Sequence, residues 1–298
     1  MVVATYSPQM LEHLGECIES LQNQTYRDVE IICIVDGNEE YYQEIRSEFP
    51  DIDVYLNDRN YGLLYSRNRG TKLSNGDVVA FIDDDAVADK RWIEELVRMY
   101  EECDAIASGG KLEPLWIAKK LRWLPEEFYW MIGVTHLGFP EKITEIRNTF
   151  GSNLSFRKDV FMELGGFNLG MGGIRGKRML QGGETELCER MRRKYGKGVM
   201  YNPNAVVYHK IFERRVKFGF LVRRAFWQGY SKAVMERIVG EIGDEVEFLK
   251  FLISKGLLNR IKKIADEPLG ELVKIITIMF FTGIVGVGYV FGKIKNDS

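Results

Sequence analysis

A doubly wound, mostly parallel α/β sheet is the fold class predicted for the first 110 residues of this 298-residue chain. Three observations predict it. Short apolar runs of strand length alternate with helical stretches, the rhythm of βαβ units. The run at residues 29–35 carries almost no polar side chain, as for a strand buried on both faces. Three consecutive carboxylates, Asp83-Asp84-Asp85, follow directly on the apolar run Val78-Val79-Ala80-Phe81-Ile82, and the carboxyl ends of strands are where such sheets bind ligands.

Residues 2–5 make the first strand, and Ser7-Pro8 caps and opens a helix reaching about Gln22. The strand at 29–35 follows, then a helix over 42–49 and a short strand over 53–56. A helix over 63–73 is closed by Ser74-Asn75-Gly76-Asp77. After the Val78 strand and the aspartates come a helix over 91–102 and a strand over 105–108. No GxGxxG follows the first strand, which argues against a dinucleotide-binding Rossmann domain. Residues 111–147 read as irregular and rich in aromatic residues (Trp116, Trp123, Phe128, Trp130), an insertion over the site or against a membrane. Regular structure resumes over 148–156 and continues as a short helix over 158–164. The glycine-rich stretch 165–183 has the composition of a mobile loop. A helix over 184–195 and a strand over 199–208 complete the domain.

Charge divides the chain. Residues 1–188 hold 20 Lys/Arg and 32 Asp/Glu, whereas residues 189–298 hold 21 and 11. An acidic front suits a metal site, and a basic back suits an anionic partner such as a membrane surface. Between Lys210 and Arg237, eight basic residues are interleaved with Phe212, Phe218, Phe220, Phe226, Trp227 and Tyr230, the composition of an interfacial helix. No DNA- or RNA-binding motif accompanies these charges, so no nucleic-acid partner is expected. The 18 residues between Lys274 and Lys293 are uncharged, close to the length that spans a bilayer. The domains expected are therefore 1–210, a basic amphipathic region over 211–271 and a candidate transmembrane helix over 272–292. Cys17, Cys33, Cys103 and Cys188 have no CxxC spacing and read as reduced thiols of a cytosolic domain. No signal peptide is expected ahead of the first strand.

Three adjacent carboxylates repel one another, and a cation offsets that repulsion. Carboxylate oxygens are hard ligands suited to Mg²⁺ or Mn²⁺, which are often shared with substrate phosphates. A solvated acidic turn before a helix is the simpler alternative.

The ordered set Val-Val-Ala-Thr-Tyr (2–6), Ile-Val-Asp-Gly (34–37), Asn60-Tyr61-Gly62, Ser66-Arg67-Asn68-Arg69-Gly70, Phe81-Ile82-Asp83-Asp84-Asp85, Gly165-Gly166-Phe167 and Gly182-Gly183-Glu184-Thr185-Glu186-Leu187 resembles the inverting family 2 glycosyltransferases of GT-A fold. Among them it looks closest to archaeal enzymes that extend dolichyl-phosphate-linked sugars. The resemblance implies a UDP- or GDP-sugar donor, a divalent metal and a lipid-linked saccharide acceptor. It places Thr5 and Asp36 at the nucleoside and Arg67 near base and diphosphate. Asp85 matches the metal ligand, and Asp83 or Asp84 the ribose or second contact; the triple leaves their register open. His209 falls where some relatives supply a further metal ligand, although a strand-end histidine also serves structure alone. Glu184 takes the position of the family's general base, with Gly183 replacing the acidic residue before it. A helix-N-terminal carboxylate that complements the dipole is the other reading of Glu184, as a helix cap is of Asp36.

The function expected is inverting transfer of a sugar to a hydroxyl of a lipid-linked saccharide at the cytosolic face of the cell membrane. A dolichyl-phosphate sugar synthase, in which the lipid phosphate attacks, and a non-catalytic nucleotide-binding membrane protein are the alternatives.

Overall fold

In the computed structural model, residues 1–171, 173–175, 178–240 and 244–295 are described. They form two compact units: residues 1–114, 140–173 and 183–210 in the first, and residues 115–139, 174–182 and those from 211 onward in the second.

The elements run β1 (Val2–Thr5), α1 (Leu11–Gln22), β2 (Ile32–Asp36), α2 (Glu39–Glu48), β3 (Asp53–Asn57), α3 (Leu63–Leu73), β4 (Val78–Asp83), β5 (Ala86–Ala88), α4 (Trp92–Glu102), β6 (Ala107–Trp116), β7 (Thr144–Ile146), β8 (Leu154–Arg157) and α5 (Lys158–Glu163). A two-stranded sheet of β9 (Gly173–Arg175) and β10 (Arg178–Leu180) precedes α6 (Gly183–Tyr195) and β11 (Val199–Ile211). The main sheet has the order β3-β2-β1-β4-β8-β6-β11-β5, with β7 also on β11. Its first four strands are parallel; β8 pairs antiparallel with both β4 and β6, and β11 with β5 and β7. Parallel neighbours need crossover connections, and α1, α2 and α3 supply them. Beyond β4, strands β8 and β11 come from far along the chain and pair antiparallel with their neighbours. The core of this unit joins both parts of the sheet: Val2, Ile32, Ile34, Phe81, Leu154 and Phe156 meet Phe161, Phe167, Leu187 and Met191. The last two lie four residues apart on α6, the spacing of one buried helix face.

Several boundaries differ from the sequence expectation. Ser7 makes no capping bond, and Pro8–Met10 forms a 3₁₀ turn before α1. The second strand begins at Ile32 because residues 29–31 stay outside the ladder, where the Glu30 carboxylate accepts from Asn75. Within 111–147, β6 continues to Trp116, and the 3₁₀ helix Glu126–Ile132 buries Phe128, Tyr129, Met131 and Ile132. The glycine-rich stretch contains β9 and β10, with residues 172, 176 and 177 outside those described. The four cysteines are free thiols.

The second unit continues as α7 (Glu213–Val216), α8 (Phe218–Val239), α9 (Asp244–Phe251), a π-helical stretch Leu252–Leu257, α10 (Leu258–Lys263) and α11 (Pro268–Ile294). The basic segment is thus two helices, broken at Lys217. With 27 residues and a mean hydropathy of 2.0 in its most apolar window, α11 is long and apolar enough to cross a membrane. It lies against α8 and leaves Leu272, Ile276, Met279, Val287 and Val290 exposed. Near its start, buried Arg260 donates to Glu126 (2.8 Å), Glu127 and Glu271 (3.0 Å), joining α10, the 3₁₀ helix and α11. An open, almost wholly apolar groove of about 240 Å³ is lined by Trp123, Phe218, Ile276, Thr277, Phe280 and Phe281.

A Cβ at Gly229 of α8 would fall on the Val285 carbonyl of α11. Gly229→Val should force the two helices apart and cost about 1–3 kcal/mol, the usual scale of overpacking. A thermal melt of the detergent-solubilised chain measures this, and an unchanged midpoint would refute the close approach.

Candidate active site

The carboxyl ends of β1, β2 and β4 bring Thr5, Asp36 and Asp83 to one edge of the sheet. The β1–β4 register pairs Ala4 with Asp83, so the next residues meet: Thr5 Oγ1 donates to Asp84 Oδ2 at 2.6 Å. Thr5 Oγ1 also lies 3.3 Å from the Tyr41 hydroxyl. On the far side, β11 sets His209 opposite Ala86 of β5, beside the end of the aspartate run. His209 Nε2 is 3.3 Å from Asp85 Oδ1 and 3.7 Å from Asp83 Oδ2. Ligand atoms of Asp83, Asp85 and His209 all lie within 4.8 Å of one another.

Arg67 joins this cluster to α6. It is 1% exposed, on the inner face of α3, with its guanidinium 5.6 Å from the Phe81 ring and 5.8 Å from that of Phe167. Nη2 donates to Asp83 Oδ1 at 2.7 Å and Nη1 to Glu184 Oε1 at 3.1 Å. Glu184 sits in the first turn of α6, where the helix dipole favours a negative charge. Arg67 thus lies beneath the cluster and holds two carboxylates from different elements on one planar fork.

Asp36 is buried and engaged by its own chain. Oδ1 accepts from Asn57 Nδ2 (2.6 Å) and Tyr61 N (3.0 Å), and Oδ2 from Gly62 N (2.7 Å). A carboxylate accepts about four such bonds, so a position on Oδ2 remains for a further donor. Gly37 makes this arrangement possible: its φ is +79°, and a Cβ there would fall on the backbone of Arg59 and Asn60.

The family 2 glycosyl transferase model matches residues 1–165. The chain belongs to glycosyltransferase family 2. Over its full length it is 44% identical to a glucosyl-dolichyl phosphate glucuronosyltransferase of Haloferax volcanii, covering 96% of that protein. It is 25% identical to the glycosyltransferase AglE of the same organism over 34% of this chain and 36% of that protein. Among solved structures it resembles GalNAc-T7 bound to UDP, GalNAc and Mn²⁺, with a TM-score of 0.56 at 16% identity over 83% of this chain and 52% of that one. It also resembles S. aureus TarS, with a TM-score of 0.53 at 13% identity over 78% and 42%. These two share the GT-A fold with this chain.

Within that fold, the electrostatics of the aspartate run fit a divalent cation. Burial and the charges of Asp85 and Asp83 push the Asp84 carboxyl up to about 7, against the hydrogen bond from Thr5. Burial would also raise Asp83, but the neighbouring His209 imidazole and the Arg67 charge outweigh it and hold Asp83 below the usual carboxylate range. The cluster therefore resists full ionisation by itself, and two carboxylates with an imidazole suit a divalent cation.

Sequence reasoning missed the short 3₁₀ turn Gly151–Asn153. The Asp83 N–H donates to Ser152 Oγ at 3.0 Å. Asn153 locks the turn by donating to Lys111 O (3.0 Å) and Ala205 O (2.8 Å) while accepting from Trp92 Nε1 (2.8 Å). A Cβ on Gly151 would fall on Glu184 Oε1 and Arg67 Nη1. A Gly-Ser-Asn string has no local signature beyond a turn, and only the fold shows what lies behind it.

Arg67→Lys keeps the charge but cannot bridge two carboxylates. It should lower kcat at least tenfold while circular dichroism stays that of the parent. Gly151→Ala should break the Arg67–Glu184 contact with a similar loss. Parent-like turnover in both variants would separate the bridge from catalysis.

Proposed function

We propose that this chain is an inverting, metal-dependent glycosyltransferase that moves a sugar, in the first instance a glucuronosyl group, from a UDP- or GDP-sugar to a hydroxyl of a dolichyl-phosphate-linked saccharide. The observation that carries this reading is the bridge from Asp83 through Arg67 to Glu184. It sets a candidate base one guanidinium away from the carboxylates suited to a diphosphate-bound cation. The full-length likeness to a glucosyl-dolichyl phosphate glucuronosyltransferase supports the donor and acceptor classes.

Asp83, Asp85 and His209 would hold the cation, which when bound stabilises the departing diphosphate as a Lewis acid. Thr5, Asp36, Asp84 and Arg67 would define the nucleotide side of the site. Arg67 occupies Glu184 Oε1, which leaves Oε2 to face the acceptor. As the acceptor oxygen attacks the anomeric carbon from the face opposite the nucleotide, its proton passes to Oε2. The bond from that carbon to the diphosphate breaks, and the electron pair leaves on the diphosphate oxygen. Attack from the opposite face inverts the configuration. The catalytic domain is residues 1–210, working at the cytosolic face of the cell membrane. The basic helices and the apolar C-terminal helix keep it at the lipid surface.

The acceptor class decides what Glu184→Gln does. A sugar hydroxyl needs a base, and general-base catalysis contributes roughly 10²–10⁴-fold. The variant should therefore lose about that factor in kcat while binding the nucleotide-sugar as before, measured by calorimetry and by product mass spectrometry. A polyprenyl phosphate arrives ionised, so a nearly parental rate would replace the hydroxyl acceptor by the lipid phosphate itself.

Metal dependence is read separately by Asp85→Asn. This variant should abolish turnover and bind nucleoside diphosphate no better with Mn²⁺ than with EDTA. Parental affinity that is indifferent to metal would remove the cation from the mechanism.

A further inference from the structure

The apolar helix α11 lies alongside a helix that is not apolar, and their register is fixed. Phe218 of α8 stacks on Phe280 of α11, with ring centroids 5.8 Å apart. Further along, Gly288 meets the Phe226 carbonyl, Gly229 meets Val285 and Tyr289, and Gly292 meets Tyr230 and Ala233. At the end, Glu236 pairs with Lys293 at 2.5 Å and accepts from the Tyr289 hydroxyl at 2.9 Å. Arg237 donates to the carbonyls of Gly292, Lys293 and Lys295. Residue numbers rise together on both helices, so α8 and α11 are parallel and finish side by side.

That register has a consequence for the membrane. Between the Phe218–Phe280 and Phe226–Gly288 contacts, Arg223 and Arg224 fall level with the residues just before Gly288. This is the centre of the uncharged run 275–292. If α11 crossed the bilayer, α8 would cross beside it and carry two arginines to the hydrocarbon midplane, where charge is most costly. Glu236 and Arg237, level with Lys293 and Lys295 beyond that run, would also have to cross to the far side. Uncoupling the helices instead would break close backbone contacts and the Glu236–Lys293 pair. Meanwhile one side of α11 is exposed along its length, through Leu272, Ile276, Met279, Val287, Val290 and Ile294. An exposed apolar stripe beside a basic companion helix is the form of a helix lying in the interface plane, with the long basic side chains reaching the headgroups.

We propose that α11 does not cross the membrane but lies in the plane of one leaflet, paired with α8. The occupant of the exposed stripe is then the acyl region of that leaflet. Both ends of the chain lie on the same face of the bilayer. This inference rests on the membrane attachment proposed above and specifies its geometry.

The test uses the full chain with an epitope tag at each end, in sealed membrane vesicles of known orientation, treated with protease from outside. Both tags should be cleaved together or protected together. A second measurement places a nitroxide at Ile276, Met279, Val287 or Ile294, one site at a time, and reads accessibility to oxygen against a water-soluble nickel reagent. All four sites should report one shallow depth. Tags protected on opposite faces, or a depth profile that peaks near Met279–Val287 and returns to water at Ile294, would overturn the in-plane reading while leaving attachment intact. A chain that leaves the vesicles entirely would instead overturn attachment, and the inference with it.

Discussion

The candidate site depends on one buried guanidinium. A fully enclosed guanidinium without partners would be strongly destabilising. The chain meets this requirement with carboxylates from two elements, Asp83 at the end of β4 and Glu184 at the start of α6. Both geometric consequences follow from the fork. The strand end and the helix start are held at the separation set by one guanidinium, and each carboxylate keeps a second oxygen directed elsewhere. For Asp83 that oxygen faces His209. The Phe81 and Phe167 rings fix the guanidinium from the core side, so the most apolar part of the unit positions its most polar part. Gly151 completes the enclosure by leaving no room for a side chain beside the pair.

The aspartate run is balanced unevenly around that fork. Asp83 is held down by the neighbouring His209 imidazole and the Arg67 charge, whereas Asp84, despite the Thr5 hydroxyl, is pushed up to about 7 by burial and the adjacent aspartates. Neighbouring carboxylates of unequal acidity are the expected outcome when like charges share a buried edge. A divalent cation bound at Asp83 and Asp85 would relieve the conflict, because a bound cation is often the largest local charge in a site. Binding there would couple the cation to the state of Asp84 and, through the 2.6 Å hydrogen bond, to Thr5 on the nucleotide side.

How much of this was legible in the sequence depended on whether a signal was local. The alternation of apolar runs and helices placed β1, β2, β4 and α3, and α3 was bounded at Leu63–Leu73 as the structure has it. The three aspartates declared themselves by adjacency after a strand. The antiparallel part of the sheet was not legible, because β8 and β11 reach their partners by pairing across long sequence separations. Asp36 was read as a nucleoside contact or a helix cap; its contacts with Asn57, Tyr61 and Gly62 come from the end of β3 and the segment after it, more than 20 residues on. Arg67 was placed only by the resemblance, near base and diphosphate, since a mildly amphipathic helix does not say which arginine turns inward. The Gly151 turn was silent because its role lies in what it leaves unfilled.

The charge asymmetry of the chain also takes physical form in the two units. In the first, the acidic excess is partly gathered at the strand ends, beside Arg67 and His209. In the second, the deeply buried Arg260 is neutralised by Glu126, Glu127 and Glu271, while Arg223, Lys262 and Lys263 remain at the surface among exposed leucines and isoleucines. Water alone would not favour so many exposed apolar side chains on one small helical unit. A leaflet surface satisfies both kinds of residue at once, apolar side chains toward acyl groups and basic ones toward anionic headgroups. Because the two requirements are met at the same depth, such a unit gains nothing by sending α11 deeper, and the charged side chains of α8 set how far it sinks.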